Sequence, residues 1–147
     1  MNKTSHAVTF LLIAVLLMFA ITNVISMVRG PADTPSLFSD GYTLEQAAQM
    51  SEQQGKPMLV LATADWCPPC QALKRGPFQD PELIRMVEAS AIPVYLDEAK
   101  HMSEMRMLGV RSFPTTMIVQ GGEVLAAIEG GGRNYKSELR ARLAPSE

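Results

Sequence analysis

The chain has 147 residues, 47% of them apolar and 19% charged, with a formal net charge of −2, so one compact domain is expected and little room is left for two. Gly and Pro number ten each, and no fixed-period repeat or low-complexity block occurs, which excludes a solenoid and a disordered chain. Lys and Arg are scattered rather than clustered, which argues against nucleic acid as a partner.

Charge is unevenly placed, because no Asp, Glu, Lys or Arg lies between Lys3 and Arg29. The stretch 7–28, AVTFLLIAVLLMFAITNVISMV, would extend about 33 Å as a helix, enough for a bilayer core. A helix buried in a soluble core is usually shorter and carries a polar stripe. A cleavable signal peptide is the competing reading, but its apolar region runs about 7 to 15 residues and ends in a small-x-small site. Here the run is longer and passes into Ile25, Ser26, Met27, Val28 and Arg29. A retained transmembrane signal-anchor over 7–28 is therefore expected. Lys3 and the amino terminus on one side, against Arg29 on the other, place residues 1–6 in the cytoplasm by a small margin and the remainder outside. All 15 acidic residues but only 11 of the 13 basic ones lie beyond Gly30, a net charge of −4. The outer part thus has no basic surface for anionic lipid, and the helix alone is the membrane contact.

Residues 29–40, with GPADTPSLFSD from Gly30, have the Pro, Gly, Ser and Asp content of a linker, and a domain over 41–147 should follow. Thr43 with Gln46 three residues on forms a capping-box pattern, which predicts a helix over about Leu44–Gln54, ended by Gly55 and Pro57. Met58–Thr63, MLVLAT, is a continuous apolar run of the kind that forms a central strand buried on both faces. A helical stretch around Cys70 is interrupted at Gly76 and Pro77. A second helix starts at Asp80, as N-cap, with Pro81 in the first turn, and runs through Leu83, Ile84, Met86 and Val87. A strand is predicted over Ile92–Leu96 and a short helix over Ser103–Leu108. Thr115–Val119 and Val124–Ile128 flank Gly121 and Gly122 as a hairpin, and a last helix covers Tyr135–Leu143. The order within the domain is αβαβαββα, an α/β fold.

The chemistry lies directly after the apolar strand, in Ala64-Asp65-Trp66-Cys67-Pro68-Pro69-Cys70, which contains the only two cysteines of the chain. A disulfide closing so short a loop removes little entropy from the unfolded chain, so stability is a poor reason for it. Redox exchange suits the spacing. Cys67 sits at a helix N-terminus, where the dipole and free N–H groups favour thiolate, and Cys70 follows one turn later to resolve what Cys67 attacks. Pro68 and Pro69 fit the first helical turn and fix the φ angles between the sulfurs, but they remove two donors. The N–H of Cys70 is then the main backbone donor left for Cys67. A structural zinc site would need four ligands, and besides the cysteines only His6 and His101 are present, so no metal is assigned. His101, Met102, Met105 and Met107 invite a copper reading through soft ligands, but Met at these spacings on a short helix is read as core filler. Arg106 and Arg111 are read as solvated.

The segment Trp66-Cys67-Pro68-Pro69-Cys70 resembles the W-C-x-x-C motif of the thioredoxin superfamily, which opens a helix after a central strand. Val110-Arg111-Ser112-Phe113-Pro114-Thr115 is similar to the family segment that holds a cis proline beside the cysteine pair. That likeness implies a cis Phe113–Pro114 bond and an extended substrate pairing with the backbone at residue 113. It covers roughly 41–144 and implies a central mixed sheet flanked by helices, with Trp66, Pro68, Pro69, Phe113 and Pro114 supporting a redox-active Cys67–Cys70 pair. Within the superfamily, EQQGKPMLVLATADWCPPC and FQDPELIRMV look most like the C-terminal, outward-facing domain of DsbD-type thiol:disulfide interchange proteins. Two departures concern proton transfer. Leu61 stands where thioredoxins keep a buried carboxylate, and Lys74 replaces a nearby acid of the DsbD-type domain. Asp65 is the nearest substitute, with water the alternative.

These readings describe a thiol-disulfide oxidoreductase with no cofactor, anchored in a bacterial inner membrane with its domain in the periplasm. Cys67 attacks a disulfide of a protein substrate and Cys70 resolves the mixed disulfide. Strongly oxidising relatives typically carry a histidine between the cysteines; the Pro-Pro pair lacks it, which points to a reductant over an oxidase or isomerase. The apolar span has no cysteine, so a separate membrane or periplasmic thiol donor must supply electrons. The likeness suggests apocytochrome c thiols, periplasmic thiol enzymes or oxidised envelope proteins as partners. A non-catalytic membrane-tethered adaptor or assembly factor is the rival from another class.

Overall fold

The computed structural model describes residues 3–28 and 30–144 and, on the first helix, the side chains of 7–22 and 24. Two compact units divide the chain, Met1–Pro31 and Ala32–Glu147. Helix α1 spans Lys3–Val28. Its described side chains are exposed on every face, Phe10 at 71% and Phe19 at 68%. Counted over the described residues alone, no helix is long and apolar enough to cross a membrane, and the described side chains of α1 run unbroken only from 7 to 22. Residues 1 and 2 of the expected cytoplasmic segment, Arg29 with its share of the flanking charge, and residues 145–147 of the expected domain lie outside the described residues.

The second unit is built on β1 (Met58–Thr63), all six of whose residues are buried. Its neighbours explain why. β2 (Ile92–Asp97) pairs with it in parallel on one side and β3 (Thr115–Gln120) antiparallel on the other, and β4 (Glu123–Glu129) continues antiparallel from β3. The mixed sheet has the order β2-β1-β3-β4. Side chains alternate across it. Leu59 and Leu61 join one core with Leu73, Phe78, Leu83, Val87, Tyr135 and Leu139, while Met58, Val60 and Ala62 join a second with Ala47, Ile92, Leu96, Met105 and Met117. One face of the sheet therefore carries α3 (Pro68–Arg75), α4 (Pro81–Ser90) and α6 (Tyr135–Leu143), and the other carries α2 (Leu44–Gln54) and α5 (Glu98–Met107). Full burial of each such Leu or Phe contributes roughly 1.5–3 kcal/mol. The mixed sheet flanked by helices is the architecture expected from the sequence.

The local signals act where they were read. Thr43 Oγ1 accepts the Gln46 N–H while Gln46 Oε1 accepts the Thr43 N–H, and α2 ends at Gly55 with φ 66°, the left-handed conformation that glycine adopts without a Cβ penalty. Two segments differ from expectation. The stretch read as a linker belongs to the second unit from Ala32 onward. Its 3-10 turn, Ser36–Phe38, buries Leu37 and Phe38, and the Phe38 ring lies 5.3 Å from Phe78 and 5.6 Å from Tyr95. Helix α5 begins at Glu98 rather than near Ser103, because the Asp97 side chain accepts the Ala99 N–H at 2.9 Å and caps the helix as β2 ends. It is kinked at His101, whose Nδ1 accepts the Asp97 N–H.

At the start of α4, Asp80 Oδ1 accepts the N–H groups of Glu82 and Leu83, and Oδ2 pairs with Lys136 of α6. The Lys136 contact, followed by the Leu83 N–H, holds the Asp80 carboxyl below its usual range. A carboxylate with a lowered folded pKa stabilises the fold above its unfolded pKa, and that contribution is lost as pH falls through the folded value. We expect Asp80→Asn, which keeps a capping oxygen, to flatten the acid limb of a plot of denaturation midpoint against pH. An acid limb identical to that of the parent chain would show that the pairing is unimportant.

Candidate active site

β1 delivers the chain at Thr63 to a tight turn in which the Cys67 N–H donates to the Ala64 carbonyl at 3.3 Å. Cys67 then occupies the N-cap of α3, in extended backbone conformation, with Pro68 and Pro69 opening the helix. Proline at these positions has no N–H to lose. The first N–H group in the helix is that of Cys70, and it donates to Cys67 Sγ at 3.2 Å. The positive end of the helix dipole is thus aimed at this sulfur. The two sulfurs are bonded, with the Cα atoms 5.3 Å apart. The pair is almost covered, Cys67 being 3% exposed and Cys70 1%.

Around the pair the other expected residues assemble. Ala64, Cys67, Cys70 and Phe113 form a small apolar cluster. The Phe113–Pro114 peptide bond is cis, and the buried Pro114 carbonyl accepts the Gly130 N–H at 2.7 Å. Trp66 stands edge-on to Phe113, 5.9 Å between ring centroids, yet is 69% exposed. Its indole N–H donates to Glu98 Oε2 at 3.4 Å. Pro68 and Pro69 are exposed on the same rim. The sulfur pair, one large exposed ring and the cis-proline segment therefore share one end of the sheet.

Leu61 is buried on the face of β1 that carries α3. Lys74, one helical turn after Cys70, is also buried, with only 2% of its side chain exposed. Its Nζ lies 3.0 Å from Asp65 Oδ1 and 3.2 Å from the Ala32 carbonyl, and 5.5 Å from the centre of the Tyr95 ring. Burial acts to lower the lysine pKa, but Tyr95 and then Asp65 outweigh it and hold the group above its ordinary value, so the ammonium keeps its proton. Asp65, read in the sequence as the nearest proton acceptor, is thus engaged in an ion pair. Gln71 adds to the same assembly: its Oε1 accepts the Ala32 N–H and its Nε2 donates to the Asp65 carbonyl. The Thr63 hydroxyl is buried without a hydrogen-bond partner among the described residues.

The soft-ligand residues do not converge. Met105 is buried in the second core while Met107 is 75% exposed, and His101 caps the start of its own helix. Arg106 and Arg111 are exposed. The contacts that the sequence did not reveal are Glu98 under Trp66 and the meeting of Lys74 with Asp65 and Ala32.

A family model described as a thioredoxin-like domain matches residues 44–143. Thioredoxin H4 of Arabidopsis thaliana is 28% identical over 93 residues, which cover 63% of this chain and 73% of that protein. The thiol:disulfide interchange protein DsbD of Yersinia pestis is 28% identical over 85 residues, covering 54% of this chain but 14% of DsbD, so this chain is similar to a small part of that protein. Among solved structures, the DsbH oxidoreductase superposes with a TM-score of 0.62 at 22% identity, covering 77% of this chain and 87% of that one, which shows a shared fold. The family match covers well over half of the chain and takes in both cysteines, so the chain belongs to the thioredoxin-like domain family and is a thiol-disulfide oxidoreductase.

Proposed function

We propose that this protein is a membrane-anchored reductase of disulfides in periplasmic envelope proteins, working through the Cys67–Cys70 dithiol with Cys67 as nucleophile. The observation that carries the assignment of roles is the Cys70 N–H on Cys67 Sγ. A thiolate is stabilised at an N-cap by the N–H donor and the helix dipole, and the thiolate is the attacking species. In the reduced protein the Cys67 thiolate attacks one sulfur of the substrate disulfide. A Cys67–substrate bond forms, and the other substrate sulfur leaves with the electron pair and takes a proton from water. Cys70 then loses its proton to water and attacks Cys67 Sγ. The Cys67–Cys70 bond forms as the second substrate sulfur departs and is protonated. Two electrons pass to the substrate, and this protein is left as the disulfide.

Trp66 and the Phe113–Pro114 segment are the surfaces against which an extended substrate chain would lie, pairing with the backbone at residue 113. The reductive direction is supported by the Pro68-Pro69 dipeptide, which puts no histidine between the cysteines. Residues 7–28 act as a signal-anchor, and the unit that begins at Ala32 carries the chemistry. An α1 whose described side chains are mostly apolar and exposed all round is suited to lipid rather than to water. With no cysteine in residues 1–31, this segment tethers and does not relay electrons, so a separate membrane or periplasmic thiol protein re-reduces the pair.

Replacement of Cys67 by serine in the full-length protein should lower the rate of insulin disulfide reduction by about 100-fold or more, whereas Cys70→Ser should accumulate a mixed disulfide through Cys67. Retention of the parental rate by Cys67→Ser would remove the assignment. For the anchor, the full chain should stay with the membrane pellet after an alkaline wash of bacterial membranes, and its release into the supernatant would contradict the span.

A further inference from the structure

The face of β1 that carries α3 has no acid near the cysteine pair, because Leu61 occupies it. A buried cation, Lys74, lies one helical turn after Cys70 instead. In the parallel register Leu61 pairs with Tyr95 of β2, and the Lys74 ammonium sits over the Tyr95 ring, one strand over from Leu61. Cys70, Leu73 and Lys74 are the buried residues of α3. Cys70 and Lys74, four apart, lie on the same helical face. The ammonium also reaches Asp65, two residues before Cys67.

The two members of the ion pair are unequally screened. The Lys74 side chain is 2% exposed, whereas that of Asp65 is 56% exposed. Water damps the field of the carboxylate, while the field of the buried ammonium passes through the low-dielectric interior toward the buried Cys70. The groups around the ammonium are Asp65 from the loop before α3, Tyr95 from β2 and the Ala32 carbonyl, with the neutral Thr63 hydroxyl on the same face of β1. Among these Asp65 alone carries a formal negative charge, and it is the solvent-exposed member of the pair.

We infer that Lys74 is a positioning residue for the exchange reaction, a fixed positive charge that holds the resolving Cys70 as thiolate once the Cys67–Cys70 bond is open. Cys70 then gives its proton to water and needs no buried base. The role of Asp65 is to keep Lys74 charged and in place, and to take no proton itself. This inference rests on the dithiol-exchange reading and adds to it the means by which the second cysteine is activated.

The test is the titration of Cys70 in the full-length protein carrying Cys67→Ser, held in mild detergent, where Cys70 is the single thiol and its thiolate is followed by ultraviolet absorbance. In that background Cys70 should titrate below the ordinary cysteine value of about 8.5. Adding Lys74→Met, a replacement that keeps the stem and removes the charge, should raise the midpoint by about one pH unit or more, a roughly tenfold loss of thiolate at a pH below it. Lys74→Arg should restore most of the shift. A purely structural lysine would lower the denaturation midpoint in Lys74→Met without moving the titration. A Cys70 midpoint unchanged by Lys74→Met in a protein with native near-ultraviolet dichroism overturns the inference. If Lys74→Met does not fold, Lys74→Gln takes its place, and a midpoint that Lys74→Gln leaves unmoved overturns the inference. The exchange reading survives either of these failures, because it stands or falls on the activity of Cys67→Ser.

Discussion

The site depends on β1 being held from both sides and on both faces. Its six residues are all buried, with a parallel neighbour, an antiparallel neighbour and a core on each face. A strand in that position has little freedom to shift, since a slip of one residue would exchange the two faces and move Leu61 and Val60 into each other's core. The turn after Thr63 therefore emerges at a fixed height above the sheet. The Cys67 N-cap and the two prolines convert that fixed exit into a fixed direction for α3. The placement of one N–H at one sulfur follows from a strand with so little freedom to slide.

The same geometry explains why the charge near the cysteines can be inverted. A carboxylate at the Leu61 position would accept a proton from Cys70, whereas a buried ammonium favours the thiolate by its field. These are two routes to the same species. A buried lone ammonium is costly, and the protein offsets this with Asp65, the Ala32 carbonyl and the Tyr95 ring. Ala32 is the first residue of the second unit, and its N–H and carbonyl are both bound to side chains of α3. The entry of the chain into the domain is thus fastened to the helix that carries the chemistry.

Much of this could be read before any coordinates, and the reasons differ by element. Met58–Thr63 was evident as a strand because a short apolar run bounded by proline has few other uses, and α2 because its two capping residues specify its start. α6 matched Tyr135–Leu143 through Leu139 and Leu143 one turn apart. Leu37 and Phe38 carry no such signal, because the proline, serine and aspartate around them have the composition of a loop. Their burial depends on Phe78 and Tyr95, residues distant in sequence. The beginning of α5 was missed because Glu98 to Lys100 show no apolar period and the cap is made by the last residue of a strand. At the site, Cys67, Cys70, Trp66 and the Phe113–Pro114 segment were readable because their spacing is itself the motif. Lys74 was noticed only as a departure. Its link to Ala32 spans 42 positions and its link to Asp65 crosses the turn of the active-site loop, and no local pattern encodes either.

In the proposed function the cysteine pair donates electrons to its substrates. Its most direct test is the reduction potential of the Cys67–Cys70 couple in the full-length protein, obtained by equilibration against glutathione of known poise. A reductant should show a value near that of thioredoxin, about −270 mV, at which the dithiol reduces envelope disulfides and is recharged by a thiol donor. A value near about −120 mV would make the pair an acceptor of electrons and contradict the reductive reading.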